Sequence, residues 1–140
     1  MVMEQLAVEI VGLCREYGEC RVEAERMEEA RRVKNALESV CAMARQRLDI
    51  SDPALLVALL DAYEVTRDEG LLQEVLDVVG RNLDRLAVSA ESVKLLACCY
   101  YYVEEEECVE RAGRMLEELR RKGEDVVEVE RIWLDITAKP

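Results

Sequence analysis

The chain is rich in side chains that could do chemistry and lacks the one most often used for it. There are 31 acidic residues, six cysteines and five tyrosines, but no histidine. Without imidazole, most general-base arrangements, Ser–His and Cys–His nucleophiles and mixed Cys/His zinc sets are excluded. Carboxylates alone can form an acid–base pair when one sits among apolar groups that raise its pKa. Asp61 and Glu64, which interrupt an apolar stretch, come nearest to this, yet in so acidic a chain they read as solvated charges. Glycine-rich phosphate loops are absent. The chain is therefore expected to be non-enzymatic, with no catalytic residue, cofactor or metal.

The cysteines are Cys14, Cys20, Cys41, Cys98, Cys99 and Cys108, with no Cys-x-x-Cys pair to suggest zinc. Cys14 and Cys20 flank Gly18, and Cys99 and Cys108 stand symmetrically about an expected turn between helices. Each pair could approach disulfide distance, which would leave Cys41 with Cys98. Buried thiols are the alternative in a reducing cytosol. Of 19 basic residues 15 are Arg, while Asn and Gln total five, a composition poor in thermolabile amides that points to a thermophilic source, where cytosolic disulfides persist.

The oddest segment is Cys98-Cys99-Tyr100-Tyr101-Tyr102-Val103, followed by Glu104, Glu105, Glu106 and Glu107. Consecutive residues of a helix point about 100° apart, so three adjacent tyrosines cannot all face one core. One or more should lie at a rim, beside four carboxylates. Tyr is favoured in interfaces, so Tyr63, Tyr101, Tyr102 and Glu104 to Glu107 form the candidate surface for a protein or peptide partner, including a second copy of the chain. The alternative has the tyrosines packed against neighbouring helices and the glutamates as a solvated turn. Arg31-Arg32 and Arg120-Arg121-Lys122 are the densest basic spots, each matched by acids one turn away. A net charge of −12 disfavours nucleic acid, so an accessory subunit of a nucleic-acid complex is the second reading.

These residues must be placed by helices. Apolar residues recur every three or four positions nearly throughout, and prolines stand only at 53 and 140. A first helix is expected over 3–17, ended by Gly18. A long periodic stretch from Val22 to Leu48 forms one helix, or two broken near Lys34 and Asn35. Asp52-Pro53 is a strong start signal for a helix over 53–66, carrying Leu56, Leu59, Leu60 and Tyr63. After the turn Arg67-Asp68-Glu69-Gly70, a fourth helix buries Leu72, Val75, Leu76, Val79 and Leu83. Ser89 caps a fifth helix carrying Val93, Leu96, Ala97 and Tyr100, and a sixth runs from Cys108 to Leu119 with four Glu–Arg or Glu–Lys pairs one turn apart. Gly123 stops it, and a seventh helix over 125–137 carries Val126, Val129, Trp133 and Ile136. The expectation is an all-α protein of antiparallel helical hairpins, about 3–48, 53–86 and 90–122, with a terminal helix, in one domain.

Laid over one another at an offset of 37 residues, Leu56, Leu59, Leu60, Tyr63, Leu72, Leu76 and Val79 match Val93, Leu96, Ala97, Tyr100, Val109, Gly113 and Leu116. This order of apolar, small and aromatic positions resembles the tetratricopeptide repeat over about 53–122, and over 6–35. Leu60 stands where that family favours a small residue and Gly113 where it favours a bulky one. The resemblance implies a stack of hairpins whose concave face takes a peptide or protein, with the Trp133 helix as an end cap; an irregular helical bundle is the other architecture. The longest apolar run, Ala54 to Leu60, is too short to cross a membrane, and the N-terminus has no basic region leading into an apolar one. The expected location is cytoplasmic.

Overall fold

The computed structural model describes residues 3–138 and is all-helical, with seven α-helices among the described residues. They group into two compact units, one up to Arg81 and the other from Asn82 on. The division falls within the stretch 53–86 that the sequence assigns to one hairpin.

The first unit holds α1 (Met3–Cys20), a 3₁₀ turn (Ala24–Arg26), α2 (Met27–Arg45), α3 (Pro53–Thr66) and α4 (Glu69–Arg81). α1 runs straight through Gly18 to Cys20 rather than ending at it, because the extra residues carry Cys20 into a fully buried position. α2 is one helix with no break at Lys34 or Asn35, carried by the unbroken stripe Ala30, Val33, Leu37, Val40, Cys41 and Ala44. α1 packs on α2 and α3, and α3 also packs on α2 and α4.

α3 has no solvated stripe over its first turns: all six residues from Leu55 to Leu60 are buried. Its start is set by Asp52, whose side chain accepts from the Leu55 amide at 3.2 Å, with Pro53 in the first turn where a missing N–H costs nothing. α4 buries Leu71, Val75 and Val79. Val75 and Val79 are buried as expected and Leu83 is buried just beyond the helix, but Leu71 takes the inward place in the first turn while Leu72 and Leu76 are half-buried.

A charged clamp joins the end of α2 to α4. Arg45 donates to both carboxylate oxygens of Glu74, at 2.8 and 2.9 Å, and to Asp68 at 2.9 Å. The Arg45 hydrogen bonds hold the Glu74 carboxyl below the usual carboxylate range. Gly70 leaves room for this: a Cβ there would lie 3.2 Å from the Arg45 guanidinium and 3.3 Å from Asp68.

The second unit holds a 3₁₀ turn (Leu83–Arg85), α5 (Ala90–Val103), α6 (Glu106–Arg121) and α7 (Val127–Thr137). α5 packs on both α6 and α7. Ser89 caps α5 by accepting from the Ser92 amide at 3.1 Å. α6 ends where Gly123 takes φ +77° and donates to the Arg120 carbonyl, while the Glu124 amide reaches back to Leu119. Of the expected pairs along α6, Glu118–Lys122 forms at 3.6 Å, but Arg111 turns to Asp84 at 2.8 Å instead of Glu107.

α3 and α5 share one layout 37 residues apart. Asp52 and Ser89 cap them, and both helices have 14 residues. Each ends on a left-handed residue, Arg67 at φ 54° and Glu104 at φ 52°. The amides of those two donate to the carbonyls of Tyr63 and Tyr100, each at 2.8 Å.

Replacing Gly80, which has open space around it, by Ala should stabilise by about 0.5–1 kcal/mol, whereas Gly70→Ala should give less because the new methyl crowds Arg45. Arg45→Ala should lower stability at pH 7 by about 0.5–1 kcal/mol, the pair being part-exposed. Glu74 is lowered in the folded state, so that contribution is present above the unfolded carboxylate value of about 4.3 and disappears as pH falls through the folded one. Chemical denaturation of the three variants at pH 7, and of Arg45→Ala also at pH 3, measures these differences.

Candidate partner-binding surface

The turn between α5 and α6 carries most of the expected surface. Tyr101 is 51% exposed, Val103 is exposed, and Tyr102 is half-buried. The two tyrosine rings meet edge to face, with centroids 5.2 Å apart and planes at 90°, a favoured aromatic geometry that steadies Tyr101 at the surface. Helix geometry causes this: Val93, Leu96, Ala97 and Cys99 turn inward, which sends Tyr101 out. Glu104 terminates the helix in the left-handed region, and all four side chains from Glu104 to Glu107 are exposed. Glu106 and Glu107 occupy the first turn of α6, where the helix dipole favours negative charge.

Tyr63 belongs to the first unit and is itself buried. It is only 8% exposed, donates from its hydroxyl to Glu69 at 2.8 Å, and carries the Arg67 guanidinium 5.6 Å above its ring. The hydrogen bond to Glu69, with burial, raises its phenol pKa. Spacing alone could not reveal this, because the Glu69 carboxylate reaches it only after the chain reverses at Arg67.

The six cysteines are free thiols. The pairing of Cys14 with Cys20 is corrected by the length of α1: six residues of continuous helix separate them by about 9 Å along the axis, beyond disulfide reach. Cys99 and Cys108 are both buried in the α5–α6 hairpin. Cys41 lies in the first unit and Cys98 in the second. Burial pushes the Cys14 thiol up to about 11, with Asp61 adding to the effect, and Cys41 up to about 12. Burial also raises Cys20, Cys99 and Cys108. None of these is poised as a nucleophile.

Elsewhere, Asp61 and Glu64 are exposed, with Glu64 3.4 Å from Arg67. Among the described residues no group of three or more His, Cys, Asp or Glu side chains could hold a metal ion. Among the described residues no helix is long and apolar enough to cross a membrane. Arg31 and Arg32 are exposed on α2, while in the other basic cluster Arg120 pairs with Glu130 and Lys122 with Glu118. A shallow groove of about 560 Å³ lies between the first turns of α5 and α7, lined by Glu91, Lys94, Val127, Glu128, Arg131 and Ile132. Its lining charges are mixed in sign.

Thiol alkylation of the native chain should be confined to Cys14 and Cys98, the two half-exposed cysteines, with the other four reacting only on unfolding. The Cys14 rate should rise about tenfold per pH unit from 7 to 10 without levelling, since its thiolate is a minor species throughout. Peptide mass mapping after timed iodoacetamide exposure reads both outcomes. No family model, curated protein or solved structure matches the chain.

Proposed function

We propose that the chain is a non-enzymatic interaction or assembly module of helical hairpins, similar in plan to tetratricopeptide repeats. Its α5–α6 turn, with Tyr101, Tyr102 and Glu104 to Glu107, would meet a basic segment of a protein partner. The carrying observation is the edge-to-face pair of exposed Tyr101 and half-buried Tyr102, set beside four exposed carboxylates. An aromatic pair held by its own ring contact loses little entropy on binding, and the adjoining charges favour Lys or Arg, which also stack on tyrosine faces.

The repeat plan is supported by the matching caps and left-handed ends of α3 and α5. It is also supported by packing inside each unit, where the first helix of a hairpin lies on the helix that follows that hairpin: α1 on α3, and α5 on the terminal α7. Self-association through the same turn is the rival within this reading. A homodimer would have to bring acidic turns together, which their charge opposes.

A displayed peptide library selected on the intact chain should enrich segments containing two or more Lys or Arg next to an apolar residue. Tyr101→Ala should weaken the best of them by about 5- to 30-fold, the range for truncating an interface aromatic at 1–2 kcal/mol, with an unchanged helical spectrum. Replacing Glu105 and Glu106 by Lys should do the same, more strongly at low salt. Selection of peptides without basic residues, or binding that ignores both variants, would refute the proposal.

A further inference from the structure

α7 is joined to its unit differently from the other helices of that unit. Only Val129 of its residues is buried, against six in α5 and five in α6. Val126 at its N-cap offers no side-chain acceptor, and the Val127 amide is met instead by the exposed Asp125 carboxylate at 3.1 Å. Its outward face carries Val127, 66% exposed, and Leu134, 49% exposed.

α7 packs chiefly on α5, with Val126 and Val129 buried, and meets α6 more sparingly. Trp133 lies against α6 at Gly113, where a Cβ would sit 3.5 Å from the indole Cζ2, so the missing side chain of Gly113 makes the seat for the ring. Arg120 of α6 pairs with Glu130. The indole N–H of Trp133 is buried with no acceptor, a cost that opposes the docked position. A helix with few buried side chains, a part-exposed ion pair and an orphaned buried donor opens more readily than the helices it rests on.

We propose that α7 is a releasable occupant of the surface formed by α5 and α6, and that this surface accepts in trans an amphipathic helix of α7's own chemistry. The ligand would carry apolar residues at the spacing of Val126, Val129, Trp133 and Ile136, with a large aromatic at the third for the Gly113 seat. A carboxylate placed like Glu130 would meet Arg120. In the intact chain α7 competes at the effective concentration of a tethered segment, so an outside helix binds only the open fraction. This site is separate from the tyrosine turn, and the proposal stands whether or not that turn binds a basic segment.

The probe is a fluorescein-labelled peptide with the sequence of residues 124–138, titrated by anisotropy against the full chain and against its Trp133→Ala variant. Saturable binding to the variant, at least tenfold tighter than to the unchanged chain, is the expected result. No saturable binding to a variant that keeps its helical circular dichroism, or equal affinity for both chains, would overturn the proposal. Should the variant unfold, hydrogen exchange on the unchanged chain decides: amides of 129–137 should exchange at least tenfold faster than those of 93–99. Equal rates for the two sets would overturn the proposal.

Discussion

The structure of the first unit rests on the complete burial of the first half of α3. A helix with Leu55 to Leu60 covered on every side cannot lie at a surface, so other helices must surround it. α1, α2 and α4 meet that demand, each with a one-sided apolar stripe and a charged back. Truncating one fully buried side chain to Ala, such as Leu56 or Leu59, would leave a cavity costing about 2–5 kcal/mol. Polar groups of α3 are confined to its second half, where Asp61 and Glu64 reach water. α5 plays the corresponding part in the second unit, with Val93, Leu95, Leu96 and Ala97 inward.

Local signals were read from the sequence where their physics is local. Asp52-Pro53, Ser89 and Gly123 mark ends that the structure places where hydrogen-bond accounting puts them. The all-helical class followed from apolar spacing alone. Gly18 misled because a glycine terminates a helix only when nothing further along needs burying, and Cys20 does. Leu71 was missed because a shift of one position along α4 is decided by the surface of α3, not by α4.

Contacts made across long stretches of chain were the illegible part. Arg45 reaches Asp68 and Glu74, 23 and 29 residues on, and Arg111 chooses Asp84 over the glutamate one turn before it. Arg45 has no acidic residue one turn away on α2, and Arg111 passes over the one it has. The candidate surface followed the same rule. Tyr101 was legible as outward from helix geometry, whereas Tyr63 was captured by Glu69 after the reversal at Arg67.

The two left-handed corners, Arg67 and Glu104, have a consequence for how such hairpins are built. An L-residue in that conformation costs about 1 kcal/mol relative to glycine, while glycine would enlarge the unfolded ensemble at a cost of about 0.4–1 kcal/mol. The two effects nearly cancel, so backbone energetics do not choose the residue. What remains is what each side chain does once it is there: Arg67 roofs an inward tyrosine, and Glu104 adds charge next to an outward one. One backbone corner thus serves as an interchangeable mount, closing a core in one place and dressing an outer edge in the other.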